Sequence, residues 1–138
     1  MLDIKILKRQ HDEIYNVILG LKERMEAEGD LESKAFEIAQ KINLLSGKLK
    51  IHLGTEDRYL YPYLLEKGSD ELRKVAEDYV TEMGDISNKF SLYKSRFNTK
   101  SKIVNDLKSF VPETAKILKV IKERIMKEDV NLYKVLSS

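Results

Sequence analysis

His11 and His52 are the only imidazoles in a chain of 138 residues that contains no cysteine. Lacking thiols, the chain cannot form disulfides, thiolate zinc sites, iron–sulfur clusters or CxxCH haem attachments, and it has no cysteine nucleophile. What remains for metal chemistry is imidazole nitrogen and carboxylate oxygen, a pairing that suits iron, manganese or zinc. His52 is followed four residues later by Glu56, which on a helix sets nitrogen and oxygen side by side, one turn apart. Arg124 and Glu128 repeat the spacing near the end of the chain, with a guanidinium that is permanently charged and cannot ligate.

Residues so far apart in sequence meet only if helices carry them to one place. Ile4, Leu7, His11, Ile14, Ile18, Leu21 and Met25 recur at alternate spacings of three and four, the stripe of an amphipathic helix over residues 3 to 28. Gly29 and Asp30 break it. A second stripe, over about residues 33 to 65, contains Ile38, Ile42, Leu45, Leu49, His52, Glu56, Tyr59 and Tyr63. Ser69 then caps a third stretch with Leu72, Val75, Tyr79, Met83, Ile86, Phe90, Tyr93 and Phe97 facing inward. The last stripe reads Phe110, Thr114, Ile117, Ile121, Arg124, Glu128, Leu132 and Val135. Pro112 suits a first helical turn, so this helix is expected to start near it, with residues 98 to 111 as a connection holding at most a short helix over 103 to 110.

Four amphipathic helices with short early loops predict one domain over residues 1–138, an all-α, up-down-up-down antiparallel bundle. In antiparallel neighbours, residues equidistant from a turn lie level. His11 and His52 are equidistant from the Gly29–Ser33 turn, and Met83 mirrors the 52/56 pair about Gly68. The six odd residues, His11, His52, Glu56, Met83, Arg124 and Glu128, therefore share one predicted layer. Glu82, Asp57 and Asp129 lie about a quarter turn off their stripes as auxiliary carboxylates, and Tyr59 shares the His52 stripe as a hydrogen-bonding auxiliary.

His11, the run His52-x-x-x-Glu56-Asp57 with Leu60-Tyr61-Pro62, and the run Glu128-Asp129-x-x-Leu132-Tyr133 resemble the hemerythrin-like (HHE cation-binding) family over nearly the whole chain. The resemblance implies a four-helix bundle around a non-haem di-iron centre, serving oxygen or nitric oxide sensing, oxygen carriage, iron storage or repair of iron centres. It implies His11, His52, Glu56 and Glu128 as metal ligands, with the two glutamates bridging. Two of the family's histidines are replaced here, by Met83 on the third helix and by Arg124 on the fourth, and the final Leu-Tyr-Pro reads Leu132-Tyr133-Lys134. The centre is thus a degraded one, holding one or two ions or none.

The leading expectation is an iron-, oxygen- or nitric-oxide-related sensing or binding module and not a catalyst. One alternative is a metal-free interaction bundle in which Arg124 bridges Glu56 and Glu128 in place of the ion. Another is a di-iron oxidase or peroxidase. No protein partner is indicated. Twenty-five Lys plus Arg against 23 Asp plus Glu leave a net charge of +2, which gives no field to gather nucleic acid or an anionic membrane. The basic runs Lys94, Arg96, Lys100, Lys102 and Lys116, Lys119, Lys122, Lys127 lack interleaved aromatics and read as solvated surface. With no membrane-spanning apolar run and no signal-peptide core, a cytoplasmic protein is the expectation.

Overall fold

A computed structural model describes residues 3–133 and Leu136. Its elements are helices α1 (Ile4–Glu26), α2 (Leu31–Thr55), α3 (Tyr61–Lys67), α4 (Asp70–Phe97), α5 (Lys100–Val104) and α6 (Leu107–Glu128). Two π-helical turns complete them, Glu56–Leu60 between α2 and α3 and Asp129–Tyr133 after α6. No strand occurs among the described residues. The long rods are α1, the continuous α2–π–α3 helix, α4, and α6 with its π turn, packed as an up-down-up-down four-helix bundle. Val135 and Lys134, placed by the sequence on the fourth rod, lie outside the described residues.

Local chemistry starts the rods where the stripes begin. The Asp30 carboxylate accepts the Ser33 backbone N–H at 2.8 Å and caps α2, while the Ser69 hydroxyl accepts from Leu72 N–H at 3.2 Å and caps α4. Gly29 turns the chain between α1 and α2 with φ of +101°, a conformation that costs an L side chain roughly 1–2 kcal/mol. The inward positions of α1, α4 and α6 follow the stripes.

Two expectations change. The fourth rod begins at Leu107, so Pro112 sits inside α6 and a short α5 precedes it. Phe110 explains why. It is fully buried against Phe97, ring centroids 5.1 Å apart, and so draws the first turn into the core. The carbonyl that loses its partner to Pro112 belongs to exposed Lys108, where water can satisfy it. The second change falls on the second rod, where Tyr59 and Tyr63 are exposed while Leu60, Tyr61 and Leu64 are buried. The π turn inserts one extra residue after Glu56, and the Tyr61 N–H donates to the Glu56 carbonyl five residues back. An α-helix would swing a residue five positions on by about 140°; the π turn instead keeps Tyr61 on the face of Glu56.

The interior is divided. A large apolar cluster includes Ile14, Ile18, Ile38, Leu49, Met83, Phe90 and Ile125, and a smaller one consists of Leu7, Leu60, Tyr61, Leu64, Ala76, Tyr79, Leu132 and Tyr133. Along α1, His11 falls between Leu7 of the small cluster and Ile14 of the large one. His52 with Glu56, and Glu128, interrupt their rods at the same boundary. The polar layer thus lies between two apolar halves.

Candidate metal centre

Burying four ionisable side chains demands partners for each of them. His11 is 1% exposed, and His52, Glu56 and Glu128 are 0% exposed. One donor atom from each lies within 4.8 Å of all the others. The two imidazole Nε2 atoms are 2.9 Å apart. Glu128 Oε1 is 3.1 Å from His11 Nε2 and 3.7 Å from His52 Nε2, and Glu56 Oε1 is 3.3 Å from His52 Nε2.

The outer nitrogens are held by other groups. His11 Nδ1–H donates to the Asp129 carboxylate at 2.7 Å, and His52 Nδ1–H donates to the Gln10 side-chain oxygen at 2.8 Å. The Gln10 amide in turn donates to the Thr55 hydroxyl at 3.1 Å, which donates to the Ile51 carbonyl. Holding a proton on Nδ1 turns each Nε2 inward, where its lone pair serves a metal once the Nε2 proton is displaced.

Both glutamates are fixed in the same manner. The Tyr133 hydroxyl donates to Glu56 Oε2 at 2.6 Å, and the Tyr61 hydroxyl donates to Glu128 Oε2 at 2.8 Å. Tyr133 also stacks on the His11 ring, centroids 4.7 Å apart. Burial, and after it the charges of Glu56 and Glu128, push both phenols far above their ordinary range, so they remain donors. Each carboxylate thereby turns one oxygen outward to a tyrosine and one inward.

Electrostatics among these groups is strong. Burial opposes a charged His52, but the hydrogen bonds and charges of Glu128 and Glu56 outweigh it and raise its pKa to about 9. Burial and the nearby Glu128 raise Glu56. Glu128 is lowered, because hydrogen bonds from His11 and His52 overcome its burial. The protein alone therefore gathers protons where its donors converge. The buried Glu56 Oε1 meets only His52 Nε2, at 3.3 Å and without a well-aligned hydrogen bond, an under-satisfied acceptor that a cation would satisfy.

The remaining predicted residues stand apart from this cluster. Arg124, 7% exposed, pairs with the carboxylate of Glu82 and lies 4.6 Å over the Tyr79 ring. Among the described residues it forms no ion pair with Glu56 or Glu128, so the expected bridge between them is corrected. The stripe located its backbone on the inner face, but its long side chain reaches across to half-exposed Glu82 and the aromatic face of Tyr79. Met83 is buried in the large apolar cluster and lines a cleft of about 720 Å³ between α2 and α4 with Leu49, Leu53, Asp57 and Phe90. Asp57 is exposed. Tyr59, 56% exposed, is corrected as an auxiliary, because the π turn rotates it outward and gives its place to Tyr61.

Sequence reasoning missed Tyr61, Tyr133 and Gln10 as supports of the centre. A signal for the tyrosines is present. The pattern Glu-Asp-x-x-Leu-Tyr occurs twice, at 56–61 and 128–133, and each tyrosine serves the glutamate of the other copy. Residues 2–136 match the family described as the hemerythrin HHE cation binding domain. The chain belongs to this family. No curated protein and no solved structure matches it. As an HHE domain it is a cation-binding type of helical bundle, with its buried His/Glu cluster between the rods. No helix among the described residues is long and apolar enough to cross a membrane.

Proposed function

We propose that this HHE domain binds a non-haem transition-metal ion, iron in the first place, through His11, His52, Glu56 and Glu128, and works as an iron-, oxygen- or nitric-oxide-related binding or sensing module. One observation carries the reading: four buried donors converge, and their outer atoms are each held by Asp129, Gln10, Tyr61 or Tyr133. Two neutral imidazoles and two carboxylates form a donor set of intermediate hardness that suits ferrous iron and manganese and also admits zinc. Bound there, the ion supplies a Lewis-acidic, redox-capable centre for a small diatomic ligand. The protein's own part is to orient the donors, exclude bulk water and hold the His11 and His52 protons on Nδ1.

Metal analysis after anaerobic loading with ferrous iron, paired with thermal unfolding, tests the proposal. Uptake is expected in the parent chain and is lost in Glu56→Gln and His52→Ala. At an ion concentration of 100 times Kd the loaded domain gains roughly 2.7 kcal/mol, which chelation removes. Equal metal content in the parent and both variants sinks the assignment of these ligands. A metal-free interaction bundle would instead show no uptake and no response to chelator.

A further inference from the structure

Resting on that reading, we infer that the centre holds one ion per chain, and that its glutamates each give a single oxygen instead of bridging two ions. This departs from the bridged pair that the family resemblance implies.

Distance comes first. With metal–donor arms of about 2.1 Å, neighbouring donors of one ion stand roughly 3.0–3.4 Å apart and opposite donors ~4.2 Å. The contacts here are 2.9 Å between the Nε2 atoms, 3.1 Å from His11 to Glu128 and 3.3 Å from His52 to Glu56. These are edges of a single coordination polyhedron. No pair of the four donor atoms exceeds 4.8 Å, so a side-chain adjustment of about half an ångström closes them on one ion. Two ions lie about 3.5–4 Å apart and need terminal donors beyond each, spread several ångström wider.

Denticity points the same way. A carboxylate that bridges through both oxygens needs its outer oxygen on metal, but the outer oxygen of Glu56 already accepts from Tyr133 and that of Glu128 from Tyr61. The inner oxygen of Glu56 accepts no well-aligned hydrogen bond and meets only His52 Nε2, at 3.3 Å. Charge agrees: two buried carboxylates balance one divalent ion, whereas a second would leave two positive charges buried without counter-charge. Met83 and Arg124 add none, since Arg124 is itself cationic and is turned to Glu82. Tyr61 and Tyr133 are positioning residues that fix how many oxygens each glutamate presents.

Titrating cobalt(II) into the metal-stripped chain of 138 residues, with metal analysis and electron paramagnetic resonance, tests the inference. One cobalt per chain with an isolated high-spin signal is expected. Two cobalts with a spin-coupled signal overturn the single-ion centre while leaving the cation-binding reading intact; zero cobalt overturns both. Glu56→Gln is expected to abolish uptake in one step, and a residual bound ion would speak for a second site. In the double variant Tyr61→Phe, Tyr133→Phe, stoichiometry stays at one and the cobalt visible bands weaken as freed oxygens raise the coordination number. Unchanged bands in that variant overturn the positioning role of the tyrosines.

Discussion

The proton on one imidazole nitrogen decides what the other nitrogen can do, and at His11 that decision belongs to Asp129. Replacing the carboxylate by a methyl leaves His11 free to exchange tautomers, so Asp129→Ala is expected to weaken cobalt binding by about 10–100-fold with helix content unchanged. Isothermal titration beside circular dichroism checks it, and an unaltered Kd would remove Asp129 from the centre. The four converging residues were legible from the sequence because histidine is scarce here and ionisable groups on an apolar stripe have to meet a partner. Arg124 was only half legible. Periodicity gives the face from which a side chain leaves its helix, and a chain with four torsions then chooses between partners, here Glu82 and the Tyr79 ring over the buried carboxylates.

Elements were legible wherever one period ruled. The stripes on α1, α4 and α6 held, and the cap at Ser69 stands where helix-start chemistry put it. Pro112 misled because its rule is local, while the burial of Phe110 that overrides it depends on Phe97, packed from another helix. Its position inside α6 has a testable cost. Pro112→Ala restores the hydrogen bond to the Lys108 carbonyl and is expected to raise stability by on the order of 1 kcal/mol. Urea unfolding measures this, and a loss of stability would mean that the proline is favourable where it stands. The π turns were illegible for a different reason: an inserted residue shifts the phase of everything after it, and a three-four pattern read through the insertion assigned Tyr59 and Tyr63 inward when Tyr61 and Leu64 are.

Over the whole molecule the divided core makes stability depend on protons. His52 has its folded pKa raised from 6.5 to about 9, so its contribution is complete below the unfolded value and is lost as pH climbs through about 9. Glu56, raised above 4.5, acts in the same sense, because the folded chain keeps a proton that the unfolded chain has released. The Tm of the metal-free domain is therefore expected to fall between about pH 6.5 and 9, and a Tm that rises over this window would contradict it. Metal affinity runs the opposite way, since the ion must displace those protons.

The polar layer across the waist of the bundle has a mechanical consequence. The small group around Leu7, Leu64 and Leu132 rides on the same rods as the larger half and meets it at these hydrogen-bonded groups. An ion seated between them acts as a rivet through three of the four rods. Filling that position ties the three rods together at one height, so its occupancy bears on both apolar groups at once.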